Sequence, residues 1–413
     1  MAGIIALAAG YVLSQFYRTF MAVLTPALSA DLAATKADLS AASGAWFVCF
    51  AVMQFVVGIS LDRHGPRRTA SILLAIGGGG GAFLFALASH SWMIIVAMAL
   101  IGIGCSPVLM AAVFIFAKTY SPARLAILVS WLVGIGMLGN ISSAVPLAAA
   151  AEAFGWREVI AGLGAATLLV AAAIFIFVRD PANDVASAGS GLGGYVELFK
   201  LRQLWPILPI TALGYAASAG IRGLWAGPYL ADIFGAEAML IGQVTLCMAL
   251  AMAAGSFLYG PLDTVFGTRK WVVVAGNSVS VAALFWLATF PPSSIGAITA
   301  VLVVIGLFGG SFGLLVAHGR SFLPSHLTGR GVTLLNLFSI GGVGIMQFAT
   351  GGLFSSISPA GGAAAAYHSL FLFYAAVLAA SLLIYLLARD APPERAARSS
   401  FGQAAADQEK PSV

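Results

Sequence analysis

The residues of this sequence most able to do chemistry are two arginines. Arg18 lies in SQFYRTFMAVLTP, residues 14–26, and Arg222 in SAGIRGLWAGPYLAD, residues 218–232, each inside a long apolar and aromatic stretch. A guanidinium stays charged and presents a rigid fork of donors suited to carboxylate, phosphate or carbonyl oxygens. Arg18 precedes Pro26 with Asp31 beyond, and Arg222 precedes Pro228 with Asp232 beyond. A pair that recurs in this way predicts recognition of an oxygen-rich, anionic solute. The plainer alternative is that each arginine bonds backbone carbonyls or lines a water path. Polar and aromatic residues in neighbouring apolar stretches complete a candidate binding set: Tyr11, Gln15, Tyr17, Trp46, Gln54, Asn140, Tyr215, Trp225, Asn336 and Gln347. Together they describe an aromatic-walled site with amide donors and acceptors. Such a site suits a flat, polar organic molecule better than a sugar or a bare ion.

A second chemistry is written in sulfur. Met248 and Met252 stand one helical turn apart beside Cys247, and Cys49 lies in another apolar stretch. Thioethers and thiolates suit Cu(I), although Met and Cys also fill membrane cores with no further role. The three cysteines include no CxxC pair and give no disulfide framework. Equally informative is what is missing. All fifteen Asp and Glu fall in loops, tails or the ends of apolar stretches, and none of the five His lies mid-stretch. Proton-driven pumps generally carry a titrating group inside the membrane. The pattern predicts a uniporter, an exchanger or a carrier coupled through its substrate. With no nucleophile–base pair and no His-rich metal site, an enzyme is not expected, nor is a cofactor or a nucleic-acid partner.

The elements that must position these residues are membrane helices. The chain has 413 residues, 60% hydrophobic and 8% charged, with mean hydropathy +0.99. A water-soluble domain would carry about 25% charged residues, and each crossing needs about 20 apolar ones. The alternation of a β-barrel is absent. No cleavable leader is expected, since residues 1–13 run straight into the first apolar segment. Twelve spans are predicted: 3–29, 39–61, 70–88, 92–117, 125–147, 158–178, 205–231, 238–262, 271–290, 296–317, 332–354 and 368–388. The predicted organisation is a first bundle over 1–178, a polar central linker over 179–204, a second bundle over 205–388 and a disordered tail over 389–413. Sixteen of the 20 Lys and Arg fall on one side of this arrangement, only Lys36 and Arg157 on the other, and Arg18 and Arg222 within spans. The positive-inside bias puts both termini in the cytoplasm. The run GGGGG, residues 77–81, predicts close helix packing; no Lys-Ser/Thr follows it, so it is no phosphate loop.

The halves repeat. GISLDRHGPRR, residues 58–68, follows the second span and GPLDTVFGTRK, residues 260–270, follows the eighth. Each sets an Asp, then a Gly, then two basic residues. The first closely resembles the signature loop of the major facilitator superfamily, and GWRE, residues 155–158, is similar to that superfamily's outer loop between spans five and six. The resemblance implies an all-α fold of two pseudo-symmetric six-helix bundles, working as a monomer by alternating access, multi-pass in a bacterial inner membrane. It implies that spans one and seven face each other, so that Arg18 and Arg222 meet near the midplane. It implies a gate at Gly58, Asp62, Arg63, Gly65, Arg67 and Arg68, whose basic residues meet carboxylates or lipid phosphates. Asp263 and Arg269 mark a second copy that departs from the pattern, because Asp263 and Gly267 are four apart and no Arg follows the Asp. The Gly-Pro pair of drug-efflux members is missing from GIGMLGNISS, residues 134–143. The RTF…VL…P stretch at Arg18, Cys49 and the MxxxM resemble the CcoA-like branch, which includes copper importers and riboflavin importers. Uptake is then the expected direction and riboflavin the best single substrate, with Cu(I) import or an organic-anion uniporter or exchanger as alternatives.

Overall fold

The computed structural model describes residues 2–181, 193–290, 293–324 and 327–392. All regular structure among them is helical. The twelve predicted spans are present, and several run past the ends of their apolar stretches. Span 1 is two short helices, Ala2–Tyr17 and Met21–Leu32, that meet at residues 18–20. Spans 2 and 3 share the continuous helix Lys36–Ala86, which folds back at Gly65 (φ 78°) just before Pro66. Only glycine takes that φ cheaply, and Pro opens the helix that follows. Span 4 is Ser91–Thr119. Span 5 joins Pro122–Ser142 to Val145–Phe154 through a 43° bend. Span 6 is Trp156–Phe177. Spans 7 to 10 are Ile207–Phe234, Ala238–Phe266, Lys270–Thr289 and Ile295–Arg320. Spans 11 and 12 share Thr328–Tyr385, folded at Gly362 (φ 74°).

Local chemistry sets several of these boundaries. Span 2 begins with a capping box: the Thr35 hydroxyl accepts from the Asp38 N–H, and the Asp38 carboxylate accepts from the Thr35 N–H. The five-glycine run brings span 3 against span 4, where a side chain on Gly77 would meet the Leu100 carbonyl and Gly104 at 2.6 to 2.8 Å. Close packing of this kind is what small residues permit inside a membrane.

The central linker is not uniformly polar. Its last part folds into a short helix, Gly193–Phe199, and Leu198 and Leu204 form a small buried cluster with Leu327 and Leu334 before and within span 11. The apolar side chains at these two positions drive the docking. Residues 182–192, and the tail beyond 392 with Arg395, Arg398 and Lys410, lie outside the described residues.

The two faces of the molecule differ. On the basic face, the Arg67 backbone N–H donates to Asp180 at 2.8 Å, and its guanidinium covers the Phe175 ring at 4.4 Å and donates to the Phe175 carbonyl. The first signature loop is thus pinned to the end of span 6, within its own half. Asp62, Arg63 and Arg68 are exposed there, and their side chains make no hydrogen bond or ion pair among the described residues. The second copy forms its pair in full despite its altered spacing. Arg269 Nε meets Asp263 at 3.1 Å, largely buried, and Arg269 Nη1 donates to the Ser321 hydroxyl at 2.6 Å. One extra residue between Asp and Gly is absorbed by the left-handed Gly267 (φ 66°) that ends span 8.

On the opposite face, Asp31 receives the Trp156 indole N–H and the Arg157 guanidinium, both at 2.8 Å, so GWRE ties span 6 to span 1. Asp232, its counterpart, bridges the halves instead. It takes Lys36 at 3.1 Å from the first half and the Tyr367 hydroxyl at 2.7 Å from the second. The halves meet along spans 1 and 7, 2 and 11, and 5 and 8. The contacts include Ala22 with Gly227, Gly44 with Gly344, and Ala144 with Gly242. These lie on the side away from the basic loops. These contacts close the halves against each other on that side.

Asp390, just beyond span 12, gives a pH-dependent tie at the basic end. Burial pushes its carboxyl up, but hydrogen bonds from the Thr268 hydroxyl and the Lys270 and Ala391 backbone N–H groups outweigh this and hold it below its ordinary value. A carboxylate with a depressed pKa adds stability above its unfolded pKa, and that stability is lost as pH falls through the folded value. Wild type is expected to lose melting temperature on acidification below about pH 4 more steeply than Asp390→Asn. Parallel acid melting curves for the two proteins would remove Asp390 from this role.

Candidate functional site

The site begins with breaks in two helices. Span 1 loses its helical ladder at Arg18, Thr19 and Phe20, and span 7 widens into a π-helical turn over Ile221–Trp225, which contains Arg222. Irregular backbone at membrane depth is tolerated only where protein or a cavity surrounds it, and in transporters it marks binding sites. The two breaks adjoin: a side chain on Gly223 would lie 3.3 Å from the Arg18 carbonyl. Spans 1 and 7 thus face each other at the arginines.

The arginines differ in everything else. Arg222 is 3% exposed and fully engaged. Its Nη1 donates to Asn140 Oδ1 at 3.1 Å, its Nη2 to the Asn140 carbonyl at 2.7 Å and its Nε to the Thr245 carbonyl at 3.3 Å. Asn140 belongs to span 5, across the boundary between the halves. Arg18 is half-buried and makes no hydrogen bond or ion pair among the described residues, and its buried Nε has no acceptor. Its guanidinium lies 5.4 Å from the Trp46 ring centre and 5.7 Å from that of Phe50, and the two rings stack 5.0 Å apart. Cation–π attraction holds the charge and leaves the donor fork unused.

Other unused polar atoms occur on the same spans. The Trp46 indole N–H is buried without an acceptor, and Gln15 Oε1 and Gln54 Oε1 are buried without donors. The amide nitrogens of those glutamines are occupied: Gln15 donates to the Tyr11 hydroxyl at 2.7 Å and Gln54 to the Ser106 carbonyl at 3.3 Å. Buried polar groups are normally satisfied. Spans 1 and 2 therefore hold two free donors, Arg18 and Trp46, and two free acceptors, Gln15 and Gln54. Tyr11 and Gln15 pack against Gly136 of span 5, and the half-buried Tyr215 lies with its ring 6.3 Å from that of Phe312 on span 10.

The remaining sequence candidates separate by which way their helix turns them. Tyr17 is fully buried inside the first bundle and its hydroxyl meets that of Thr167 on span 6 at 3.0 Å. Trp225 donates to the Thr350 hydroxyl at 3.0 Å and lies against Phe354 inside the second bundle. Both are packing residues in this conformation. Gln347 is fully buried, donating to the Gly220 carbonyl at 3.1 Å with Oε1 unpaired. Asn336 is half-buried on span 11. Phe50 was missed by the sequence reading, although its place one helical turn after Trp46 was a usable signal.

The sulfur residues are not assembled. Cys247 is exposed, whereas the buried Met248 and the half-buried Met252 lie against Gly306 of span 10. Adjacent helix residues point about 100° apart, so the thiol and the thioether beside it face different surroundings. Cys49 is on span 2, which packs on spans 4 and 11. Among the described residues no three His, Cys, Asp or Glu gather as a metal site.

Comparison with known proteins agrees with this architecture. The chain is similar to a bacterial homolog of the human lysosomal transporter Spinster in an inward-facing, occupied conformation: TM-score 0.76, 18% identity, covering 93% of this chain and 96% of that one. It is similar to the nucleoside transporter NupG, at TM-score 0.71 and 14% identity over 94% and 98% of the two chains. It also resembles the xylose transporter XylE from E. coli in an inward-open conformation, at TM-score 0.65 and 12% identity over 94% and 96%. At these identities the likeness is one of fold. In sequence, a gallate transporter of Pseudomonas putida is 36% identical over 115 residues, which are 28% of this chain and about a quarter (24%) of that protein. The resemblance to the CcoA-like branch is not confirmed by these relatives. The sequence profile of the Major Facilitator Superfamily matches residues 7–224 and again 207–409, one match for each bundle, and the chain belongs to that superfamily of membrane transporters.

Proposed function

We propose that this carrier moves a planar, hydroxylated aromatic carboxylate across the membrane by alternating access. Arg18 receives the carboxylate, and the ring packs beside the stacked pair Trp46 and Phe50. The observation that carries this reading is the idle guanidinium of Arg18, a permanent charge at membrane depth held only by aromatic rings. A carboxylate accepts what Arg18 and Trp46 offer, and ring hydroxyls donate what Gln15 Oε1 and Gln54 Oε1 lack. Gallate has both groups, and the short match to a gallate transporter favours the same chemistry. We place the basic face in the cytoplasm of a bacterium, by the positive-inside rule. The conformation described is then open to the cytoplasm and sealed outside, and uptake is the proposed direction.

A thermal-shift panel on the purified protein tests the substrate class. Ligand that binds only the folded state raises the melting temperature by mass action. Gallate and 4-hydroxybenzoate are expected to stabilise the protein, benzoate less, and methyl gallate, which lacks the charge, not at all. Stabilisation by riboflavin but by none of the acids would replace this reading with a flavin carrier. A shift with Cu(I) alone that is lost in Met248→Leu would replace it with a metal carrier.

A further inference from the structure

The bonds of Arg222 have a consequence for how the cycle turns over. Two of its three hydrogen bonds cross the boundary between the halves to Asn140, and the third stays within the second half at Thr245. Asn140 is itself held in place, since the Thr19 hydroxyl reaches its Oδ1 at 3.5 Å and the Asn140 carbonyl takes the Ser143 hydroxyl at 2.9 Å. Just beyond, spans 5 and 8 touch at Ala144 and Gly242 in the sealed region. Opening the sealed side parts spans 5 and 8 and separates Arg222 from Asn140. Arg222 is buried, and every Asp and Glu in the sequence lies in a loop, a tail or near a span end. No protein carboxylate is placed to replace Asn140.

We propose that the Asn140–Arg222 contact holds the empty carrier closed on the outer side, and that the substrate anion releases it by taking Asn140's place on Arg222. Arg18 and Arg222 hang from adjoining backbone, at Arg18 and Gly223, while their guanidinium groups turn to span 2 and to span 5; in this proposal the anion received by Arg18 moves on to Arg222 as Asn140 leaves it. Two charge-assisted hydrogen bonds, at about 1.5–3 kcal/mol each, correspond to on the order of 10² to 10⁴ in population. Outward opening of the empty carrier is slowed by about that factor, and its return is downhill. Uptake is therefore accelerated by anion on the cytoplasmic side, while efflux needs no anion outside. The activity is anion exchange biased in this sense, with no titrating group taking part. It rests on the aromatic-carboxylate reading for the identity of the anion, but not for the contact itself.

The test has two arms. In oriented proteoliposomes, uptake of radiolabelled gallate is measured with and without unlabelled gallate inside. Internal gallate is expected to raise the initial rate at least tenfold in wild type. Asn140→Ala is expected to bring the ratio close to one by speeding uptake into empty vesicles, and Asn140→Asp to raise it by strengthening the hold on Arg222. A wild-type ratio near one, or an unchanged ratio in Asn140→Ala, overturns the proposal. The second arm needs no substrate. Ala22 is fully buried at the span 1–span 7 contact, and Ala22→Cys in a background lacking Cys49, Cys105 and Cys247 reports outer opening to an impermeant maleimide. Adding Asn140→Ala is expected to speed labelling at least tenfold, and equal labelling rates overturn the proposal. Faster labelling together with no transport or binding of gallate leaves the contact standing and removes only the aromatic-acid reading.

Discussion

Replacing Arg18 with Gln is expected to weaken gallate binding about 10²-fold while leaving the fold intact. The charge-assisted bonds from a guanidinium to a carboxylate are worth about 1.5–3 kcal/mol each, and ~2.8 kcal/mol is a factor of 10² in affinity. Stability is expected to change little, because among the described residues Arg18 makes no hydrogen bond or ion pair to lose, and the loss of its cation–π attraction is offset by the removal of a half-buried charge. Gln removes a charge that only aromatic faces hold. Arg18→Lys keeps the charge but not the planar fork, and is expected to lose about tenfold. The measurement is titration of gallate into each detergent-solubilised variant, with its ligand-free melting temperature recorded beside it. Wild-type affinity in Arg18→Gln would mean that the anion sits elsewhere. Arg222→Gln is expected to behave differently, since Arg222 holds three hydrogen bonds and its removal strips Asn140 and Thr245 of theirs.

Gly227→Val is expected to lower transport about 10²-fold without abolishing binding. A side chain at Gly227 would fall on the Ala22 carbonyl, so the backbones of spans 1 and 7 could not approach as they do. Overpacking a tight contact costs about 1–3 kcal/mol. That cost falls on the sealed outer side alone, because the contact is broken whenever that side opens. In the loaded carrier, where the anion has already replaced Asn140 on Arg222, the variant therefore favours the outward-open state by up to ~10² and starves the loaded inward-open state from which substrate is released. Gallate binding measured from the outside should persist, and uptake should fall. Uptake at the wild-type rate would show that the contact between spans 1 and 7 is not part of the cycle. Gly296→Val, at a position with nothing near its Cβ, is the control and should be silent.

Much of the fold was legible because membrane chemistry is written locally. A crossing needs a run of apolar residues of fixed length, and the turns need Gly, Pro and charge; all are properties of neighbours in sequence. The repeat of Asp, Gly and basic residues at matching points exposed the two halves. Spans 1 and 7 adjoin at their arginines, where a side chain on Gly223 would lie 3.3 Å from the Arg18 carbonyl, but the expected meeting of the two guanidinium groups is not seen: Arg18 turns to Trp46 and Phe50 and Arg222 to Asn140 and Thr245.

The sequence by itself determined that a charge sits at membrane depth twice, that nothing acidic accompanies it, and that twelve helices must carry it. Only the tertiary structure decided that the two arginines are unequal. Their local sequences are alike, but Arg222 is satisfied by Asn140, 82 residues away on another span, and Arg18 meets two aromatic faces on span 2. The same holds for Tyr17 and Trp225, turned into their own bundles, and for Cys247 and Met248, turned apart. In each case the outcome depends on the rotation of a helix about its axis. In an evenly apolar span that rotation is set by packing against other spans and leaves little trace in the span's own residues.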